Sequence, residues 1–492
     1  MINDGATSLQ QLFDRAVALH ERGLATEAER LCLQVLEARK GHSGALHLLG
    51  VIRHQQGRYE EALAALSAAL KTQSKSASAR SNRGQVFMAL GQHKEALADF
   101  DRALAADPAL VEALSGRGHA LVCLERHQEA IASFDKALAL RPTHFGSHYN
   151  RGIVLHMLNR YAEAVDSYQR ALALRPDHAD AHWNDSLARL ALGDFAEGWK
   201  KFEWRWQTSD RKRPGLKFPM PLWVGDQSID GKSILLYSEQ GLGDTIQFAR
   251  YVPMVTERGA KAVLAVHSEL KQLLSSIPGT ATVFGENELL PAVDLQCPLL
   301  SLPRAFHTTI ETIPTNIPYI APDDAAVAQW AQRLPQTAMP RVGLVWSGGP
   351  THENDRRRSL TLAQIAPLLA NPNIFFYSLN PGIGESDVAA LGKYANVLHV
   401  GSQFRDFSDT AAVVSLIDLV VTVDTAVAHL AGAMGRPVWI MLTYSPDWRW
   451  AIDRDRSSWY PTARLFRQIA AGDWASVIAR VQRELTALFG SM

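Results

Sequence analysis

Residues 421–438 read VTVDTAVAHLAGAMGRPV, and this stretch decides how the second half of the chain folds. It continues an apolar, β-branched run from Leu416 to Val423, broken only by Asp418 and Thr422. A second short apolar run, Val438 to Leu442, follows it. Between them, Ala426 to Met434 carries small and apolar residues at helical spacing, and Gly435 is placed to end that helix. The stretch therefore predicts strand, tight turn, helix, strand: a βαβ unit with Asp424 and Thr425 in the turn. A helix that begins at a strand's carboxyl end aims free N–H groups and partial positive charge at whatever lies there, which suits a phosphate. His429 lies four residues after Thr425, on the same helix face. The other reading of these residues is local: Asp424 and Thr425 cap the helix and His429 packs.

Composition bounds the rest. The chain has 492 residues, 47% of them hydrophobic, enough for two to four domains with sizeable cores. Its formal net charge is zero, which gives non-specific nucleic-acid binding no electrostatic support. Cys32, Cys123 and Cys297 are few and far apart, so neither a disulfide framework nor a zinc cluster is indicated. No basic region leads into an apolar core at the N-terminus, and no apolar run reaches the roughly 18–20 residues of a membrane span. A cytoplasmic protein is expected.

The first two-fifths is periodic. Gly84, Gly118 and Gly152 recur every 34 residues, as do Ala96, Ala130 and Ala164, the aromatics Phe100, Phe134 and Tyr168, then Ala103, Ala137 and Ala171, and finally Pro108, Pro142 and Pro176. This is the period and pattern of the tetratricopeptide repeat, a pair of antiparallel helices per unit. Small residues let the helices approach, the aromatic fills the gap, and the proline ends the second helix. Weaker copies start near Leu9, at Ser43 and near Ala179, giving about six units that end near Asp210. The last is rich in tryptophan (Trp183, Trp199, Trp204, Trp206), as expected where a repeat packs on something different. Such a solenoid commonly holds a peptide or protein. Asn82, Asn150 and Asn184 occupy the sixth position of their units, and Gly116 and Leu48 interrupt the series. The series resembles the asparagine ladder of protein O-linked N-acetylglucosamine transferases, which implies that these amides grip an acceptor backbone by donating and accepting at once. Local hydrogen bonding within each repeat is the other reading.

Arg211 to Leu216 reads as a solvated linker, and beyond it strands and helices alternate. Strands are expected at Ser233–Ser238, Ala262–Val266, Ala281–Phe284, Val293–Leu295, Val342–Trp346, Ile374–Ser378 and Val397–Val400. Helices are expected at Ile246–Val255, Asp324–Leu334 and from near Thr361. Two α/β halves of about 130 residues suggest two Rossmann-like lobes with a ligand cleft between them. Three turns would meet there. The first contains Gly241, Gly243, Asp244 and Thr245. The second runs from Ser347-Gly348-Gly349 through His352, Asn354 and Asp355 to Arg356-Arg357-Arg358, a glycine and arginine combination that suits a diphosphate. The third is the Asp424–Thr425 turn.

From Trp223 onward the chain resembles GT-B glycosyltransferases of the heptosyltransferase-like superfamily (glycosyltransferase family nine and its tetratricopeptide-fused relatives). Gly243-Asp244 matches their Gly-Asp pair after the first strand, which implies that Asp244 is the catalytic carboxylate. Asp424-Thr425-Ala426, His429-Leu430 and Ala433 match the second-lobe signature, which implies that this turn holds the donor's diphosphate; Ala426 stands where the family usually has glycine. Arg356–Arg358 stand where the family has a phosphate-neutralising lysine. The resemblance implies direct displacement at the anomeric carbon of a nucleotide-sugar, Asp244 acting as base on the acceptor hydroxyl and the Thr425 helix end and the arginines stabilising the leaving phosphate. No Asp-x-Asp metal motif stands in these turns, so a metal-independent reaction is expected, inverting by analogy, with a nucleotide-sugar as co-substrate and no resident cofactor.

Pro446–Trp450, Trp459–Pro461 and Arg464–Gln468 are dense in aromatics and arginine and read as packing where a C-terminal helix, Trp474 to Phe489, returns to the first lobe; Asp447 and Arg449 could pair between lobes. The expected map is a solenoid over 1–210, a first lobe over 211–335, a nucleotide-sugar lobe over 336–470 and the returning helix over 471–492. The function it predicts is transfer of a sugar to an acceptor protein held by the solenoid, flagellin among the acceptors implied by such fusions. A glycan- or lipid-directed transferase and a scaffold whose GT-B half is inactive are the alternatives.

Overall fold

The computed structural model describes residues 2–208, 218–349 and 355–490; the expected linker at 211–216, and His352 and Asn354, lie outside them. Two compact units divide the chain, Met1–Ala181 and His182–Met492.

The first unit is a solenoid of helix pairs. Ile2–Glu21 pairs with Ala25–Ala38, Ser43–Gln55 with Tyr59–Thr72, Ala77–Ala89 with His93–Ala106, Val111–Cys123 with His127–Leu140, and Phe145–Met157 with Tyr161–Leu174. The periodic residues explain the pairing. A Cβ on Gly84, Gly118 or Gly152 would stand 2.7, 2.5 and 2.5 Å from Phe100, Phe134 and Tyr168, so only glycine lets the ring of the second helix lie against the first. His42, Ser76 and His144 cap the first helices of their units by accepting from the backbone N–H three residues on. A second ladder binds successive units. Arg83, Arg117 and Arg151, also 34 apart, each reach one second helix before and one after, and each meets one aspartate and one serine. Arg83 takes Asp99 (2.6 Å) and Ser67 (3.2 Å), Arg117 takes Asp101 (2.7 Å) and Ser133 (2.5 Å), and Arg151 takes Asp135 (2.7 Å) and Ser167 (2.6 Å).

A sixth helix pair, Ala179–Leu192 and Phe195–Phe202, continues the repeat pattern, but from His182 it belongs to the second unit rather than to the solenoid body expected to run to 210. Its tryptophans are the reason. Trp199 meets Phe248 and Trp448 edge-on, Phe195 stacks on Trp459, and Trp206 packs near Leu235 and Tyr237.

The second unit carries two all-parallel sheets. Strands β1 (Ser233–Tyr237), β2 (Lys261–Ala265), β3 (Thr280–Phe284) and β4 (Leu295–Pro298) stand in the order β3-β2-β1-β4. Strands β5 (Arg341–Val345), β6 (Phe375–Ser378), β7 (Val397–His399), β8 (Leu419–Val423), β9 (Val438–Leu442) and β10 (Ala463–Arg467) stand in the order β10-β9-β8-β5-β6-β7. Counted from the start of its own lobe, the second sheet runs 3-2-1-4-5-6, the doubly wound order. These are the two Rossmann-like lobes of a GT-B fold. The strand order reverses between β1 and β4 in one lobe and between β5 and β8 in the other, the points at which doubly wound sheets take their ligands.

The C-terminal helix corrects the expected map. Trp474–Phe489 does not return to the first lobe. Its apolar face, Trp474, Val477, Ile478, Val481 and Leu485, joins the second lobe's core with Val342, Leu344, Phe376, Val421 and Val423. Gln482 donates to the Pro367 carbonyl (3.2 Å) and Arg464 to Glu484 (2.7 Å). Each such buried side chain contributes roughly 1.5–3 kcal/mol, so the sheet face holds the helix. The segment that reaches the first lobe lies earlier, between β9 and β10, where Trp448 and Trp459 meet Trp199 and Phe248.

Candidate active site

The turns singled out in sequence follow β1 and β8, at the points where the strand orders reverse. In the first lobe the turn after β1 runs directly into a helix, Leu242–Phe248, four residues earlier than the expected start at Ile246. Asp244 explains the early start: its Oδ2 accepts the Gly241 N–H (3.0 Å), closing the helix's first turn with its own side chain. His267 Nε2 lies 2.6 Å from the Gln240 carbonyl and holds the turn from behind.

In the second lobe the helix Ala426–Ala433 follows β8. The Thr425 hydroxyl lies 3.0 Å from Thr422 Oγ1 and makes no cap bond to the helix, so the purely capping reading of that side chain does not hold. The helix's first N–H groups stand at the carboxyl end of β8. Burial, and then the neighbouring Asp447 carboxylate, push the Asp424 carboxyl up from its ordinary value, while Arg358 and Arg449 oppose them.

The arginine run resolves into two kinds. Arg356 and Arg357 are exposed on the short helix Asp355–Arg358. Arg358 turns inward, and its Nη1 donates to the Asp424 carbonyl (2.9 Å). Gly348 makes room for it, since a Cβ there would stand 2.5 Å from Arg358 Nη2 and 2.7 Å from Asp355 Oδ1. Ser359 Oγ accepts the Gly348 N–H (3.0 Å) and donates to Asp355 (2.8 Å), tying the loop after β5 to the helix that carries Arg358.

The two lobes meet at Gly243. A Cβ there would lie 2.7 Å from His429 Cδ2 and 3.4 Å from the Ala426 Cα. His429 is buried, its Nδ1 lies 3.0 Å from the Tyr460 hydroxyl, and its ring stacks on Trp450. Burial first, then Arg449, Arg250 and Arg358, hold its pKa well below the ordinary value, so it is a neutral imidazole. His429 thus packs between the lobes and braces the Ala426–Ala433 helix.

Arg449, from the loop between β9 and β10, crosses to the first lobe. It pairs with Asp244, donates to Gln247 Oε1 (2.6 Å) and pairs locally with Asp447 (2.8 Å). The inter-lobe ion pair is therefore Arg449–Asp244, and the Asp447–Arg449 pair lies within one loop. A second buried cluster stands behind the same turn. Arg205, wholly buried, donates to Glu239 (2.9 Å), Ser301 (2.6 Å) and Glu203 (2.8 Å). Burial pushes the Glu239 carboxyl up to about 7 against the pull of Arg205. Neither Glu239 nor Arg205 stands out in the sequence; the one signal is a charged residue, Glu239, just beyond the carboxyl end of a buried strand.

In the solenoid, Asn82 Nδ2 lies 2.7 Å from His47 Nε2, so its amide already has a partner in the preceding repeat. Asn150 is half-buried on the equivalent helix, and Asn184 sits on the Ala179–Leu192 helix, in the second unit. The interruption at Gly116 has a steric cause: a side chain there would stand 2.4 Å from Phe100 and 2.8 Å from Gln85 Nε2.

Family models match in the same places. Tetratricopeptide-repeat models cover residues 47–111, 109–177 and 158–202, and the glycosyltransferase family 9 (heptosyltransferase) model covers 405–457, the span with Asp424, His429 and Arg449. The chain is a tetratricopeptide-repeat protein fused to an α/β domain resembling the heptosyltransferases of family 9. Among curated proteins it is similar to protein FlbA of Caulobacter vibrioides, 27% identical over 317 residues, 60% of this chain and 53% of that one. The chain thus spans about half the length of the curated relative it matches. Among solved structures, a tetratricopeptide repeat protein from Parabacteroides merdae is 22% identical over 40% of this chain and 78% of its own, with a TM-score of 0.35. The pilF protein of Pseudomonas aeruginosa is 15% identical over 41% and 92%, with a TM-score of 0.38. Among the described residues no helix is long and apolar enough to cross a membrane.

Proposed function

We propose that the chain is a glycosyltransferase that moves a sugar from a nucleotide-sugar to an acceptor hydroxyl on a protein held by the solenoid. One observation carries the reading. At the switch points of two facing parallel sheets, the Gly241–Asp244 turn of one lobe abuts the Asp424–His429 turn of the other, through Gly243 and His429. That is where doubly wound sheets take nucleotides.

In this reading the N-terminus of the Ala426–Ala433 helix and the inward-turned Arg358 receive the donor's phosphates, and Asp424 helps fix the turn that presents those N–H groups. Asp244 is the carboxylate that takes the acceptor hydroxyl's proton as oxygen attacks the anomeric carbon and the nucleotide leaves. A single displacement inverts configuration, and the reading calls on no metal. Asn82, Asn150 and Asn184 contribute to holding the acceptor, a flagellin-like protein being the example that the resemblance implies.

The test is thermal unfolding of the full chain against UDP-, GDP-, ADP-, CMP- and dTDP-linked sugars and their free nucleotides. A selective upward shift by mass action supports the donor site. No shift with any of them at millimolar concentration overturns it in favour of a scaffold.

A further inference from the structure

Every nitrogen of Arg449 has an acceptor, three of its five N–H groups being used. Nε is on Gln247, Nη1 on Asp447 and Nη2 on Asp244, and the side chain is only 8% exposed. Its guanidinium lies 4.5 Å from the Trp448 ring and 5.7 Å from that of Phe248. Asp244 has a donor on each oxygen, the Gly241 N–H on Oδ2 and Arg449 on Oδ1, which leaves one acceptor position on each. A carboxylate that is to take a proton from an acceptor hydroxyl needs an oxygen facing that hydroxyl. In this arrangement both oxygens have donors. The partner that holds Oδ1 is a planar, forked cation of the kind that binds phosphate most strongly, and it belongs to the lobe whose turns are laid out for phosphate.

We propose that Arg449 is a further anion-binding residue of the donor site, and that it exchanges Asp244 for the phosphate of the bound nucleotide, freeing Asp244 Oδ1 to face the acceptor. The inference rests on the donor-site reading above. Asp447, two residues away on the same loop, stays paired and keeps the guanidinium in place through the exchange. The aromatic faces of Trp448 and Phe248 let the flat group turn while remaining stacked. The exchange orders the reaction: the base is released only when the leaving group's charge is present to hold Arg449.

The competition between Asp244 and phosphate for one cation is measurable without turnover. Isothermal titration of the full chain with inorganic pyrophosphate, UDP, GDP, ADP, CMP and dTDP compares wild type with Asp244→Asn, Arg449→Gln, Arg449→Lys and the Asp244→Asn/Arg449→Gln pair. The exchange predicts that Asp244→Asn binds about three- to ten-fold more tightly and Arg449→Gln about ten-fold more weakly. Arg449→Lys falls between wild type and Arg449→Gln, and the double variant behaves as Arg449→Gln. Ligand-free thermal unfolding identifies any variant that fails to fold, and Arg449→Lys, which keeps the charge, then carries the comparison. Wild-type binding that Asp244→Asn does not tighten, or that the Arg449 variants do not weaken, overturns the exchange and leaves the donor site standing. Absence of binding by wild type and variants alike overturns both.

Discussion

Gly243 and His429 touch across the two lobes so closely that a methyl group on Gly243 would lie 2.7 Å from His429 Cδ2. Gly243→Ala must therefore push the lobes apart or displace a ring already fixed by Tyr460 and Trp450. The expected cost is about 1–3 kcal/mol, typical of overpacking. Denaturant unfolding of Gly243→Ala, His429→Ala and the double variant checks it. If the clash is the cause, Gly243→Ala costs little once His429 is gone, and an undiminished cost would refute the contact.

Asp244 is the carboxylate assigned to the acceptor proton. Asp244→Ala is expected to lower transfer by about 10²–10⁴-fold, the usual worth of a positioned base, while nucleotide still binds. Parallel transfer and titration assays separate the two effects. Full turnover by this variant would sink the assignment.

The arginine run divides by geometry. Arg358→Gln removes the donor on the Asp424 carbonyl and should weaken nucleotide binding about ten-fold or more. Arg356→Gln/Arg357→Gln, on the exposed side, should change it by less than about three-fold, in line with screened surface charge. The reverse ranking would reassign the phosphate ligand.

Glu239 makes stability depend on pH with a definite sign. Its carboxyl titrates at about 7 in the folded chain and at about 4.3 when unfolded. The folded state therefore holds the proton more tightly, and this contribution is full below about 4.5 and is lost as pH rises through 7. Glu239→Gln should flatten the fall in unfolding free energy between pH 5 and 8 by about 1–3 kcal/mol relative to wild type. Urea titrations of both proteins across that range give the answer, and parallel curves would contradict the buried, proton-holding state.

The solenoid amides are testable apart from the chemistry. Asn82→Ala with Asn150→Ala should weaken capture of an acceptor protein by roughly 0.5–1.5 kcal/mol per amide and leave nucleotide affinity unchanged. Because Asn82 also contacts His47, unfolding of the variant shows whether its loss is local. Undiminished capture would remove these residues from the acceptor site.

The elements that could be read from sequence are those whose residues answer to near neighbours. The repeats announce themselves because each glycine must admit the ring of its own second helix, so the same pair recurs every 34 residues. The central strands β1, β5 and β8 are buried on both faces and read as predominantly apolar runs. β10 escaped because Arg464 and Arg467 leave it only a short apolar core, Leu465–Phe466. Distance along the chain hid the rest. The pairing of Arg449 with Asp244 spans 205 residues, and that of Arg205 with Ser301 spans 96. An amphipathic helix such as Trp474–Phe489 shows that it must bury a face and is silent about which sheet receives it.

The rule that every ladder arginine meets one aspartate and one serine makes the solenoid a ruler with unequal notches. Excising residues 111–144 would bring Arg151 to Asp101 while it kept Ser167, and the splice would be electrically complete. Excising 77–110 would leave Arg117 between Ser67 and Ser133 without the aspartate it is bonded to. The solenoid can therefore lose the repeat that carries Arg117 and not the one that carries Arg83, so a change in its length has a preferred place to happen.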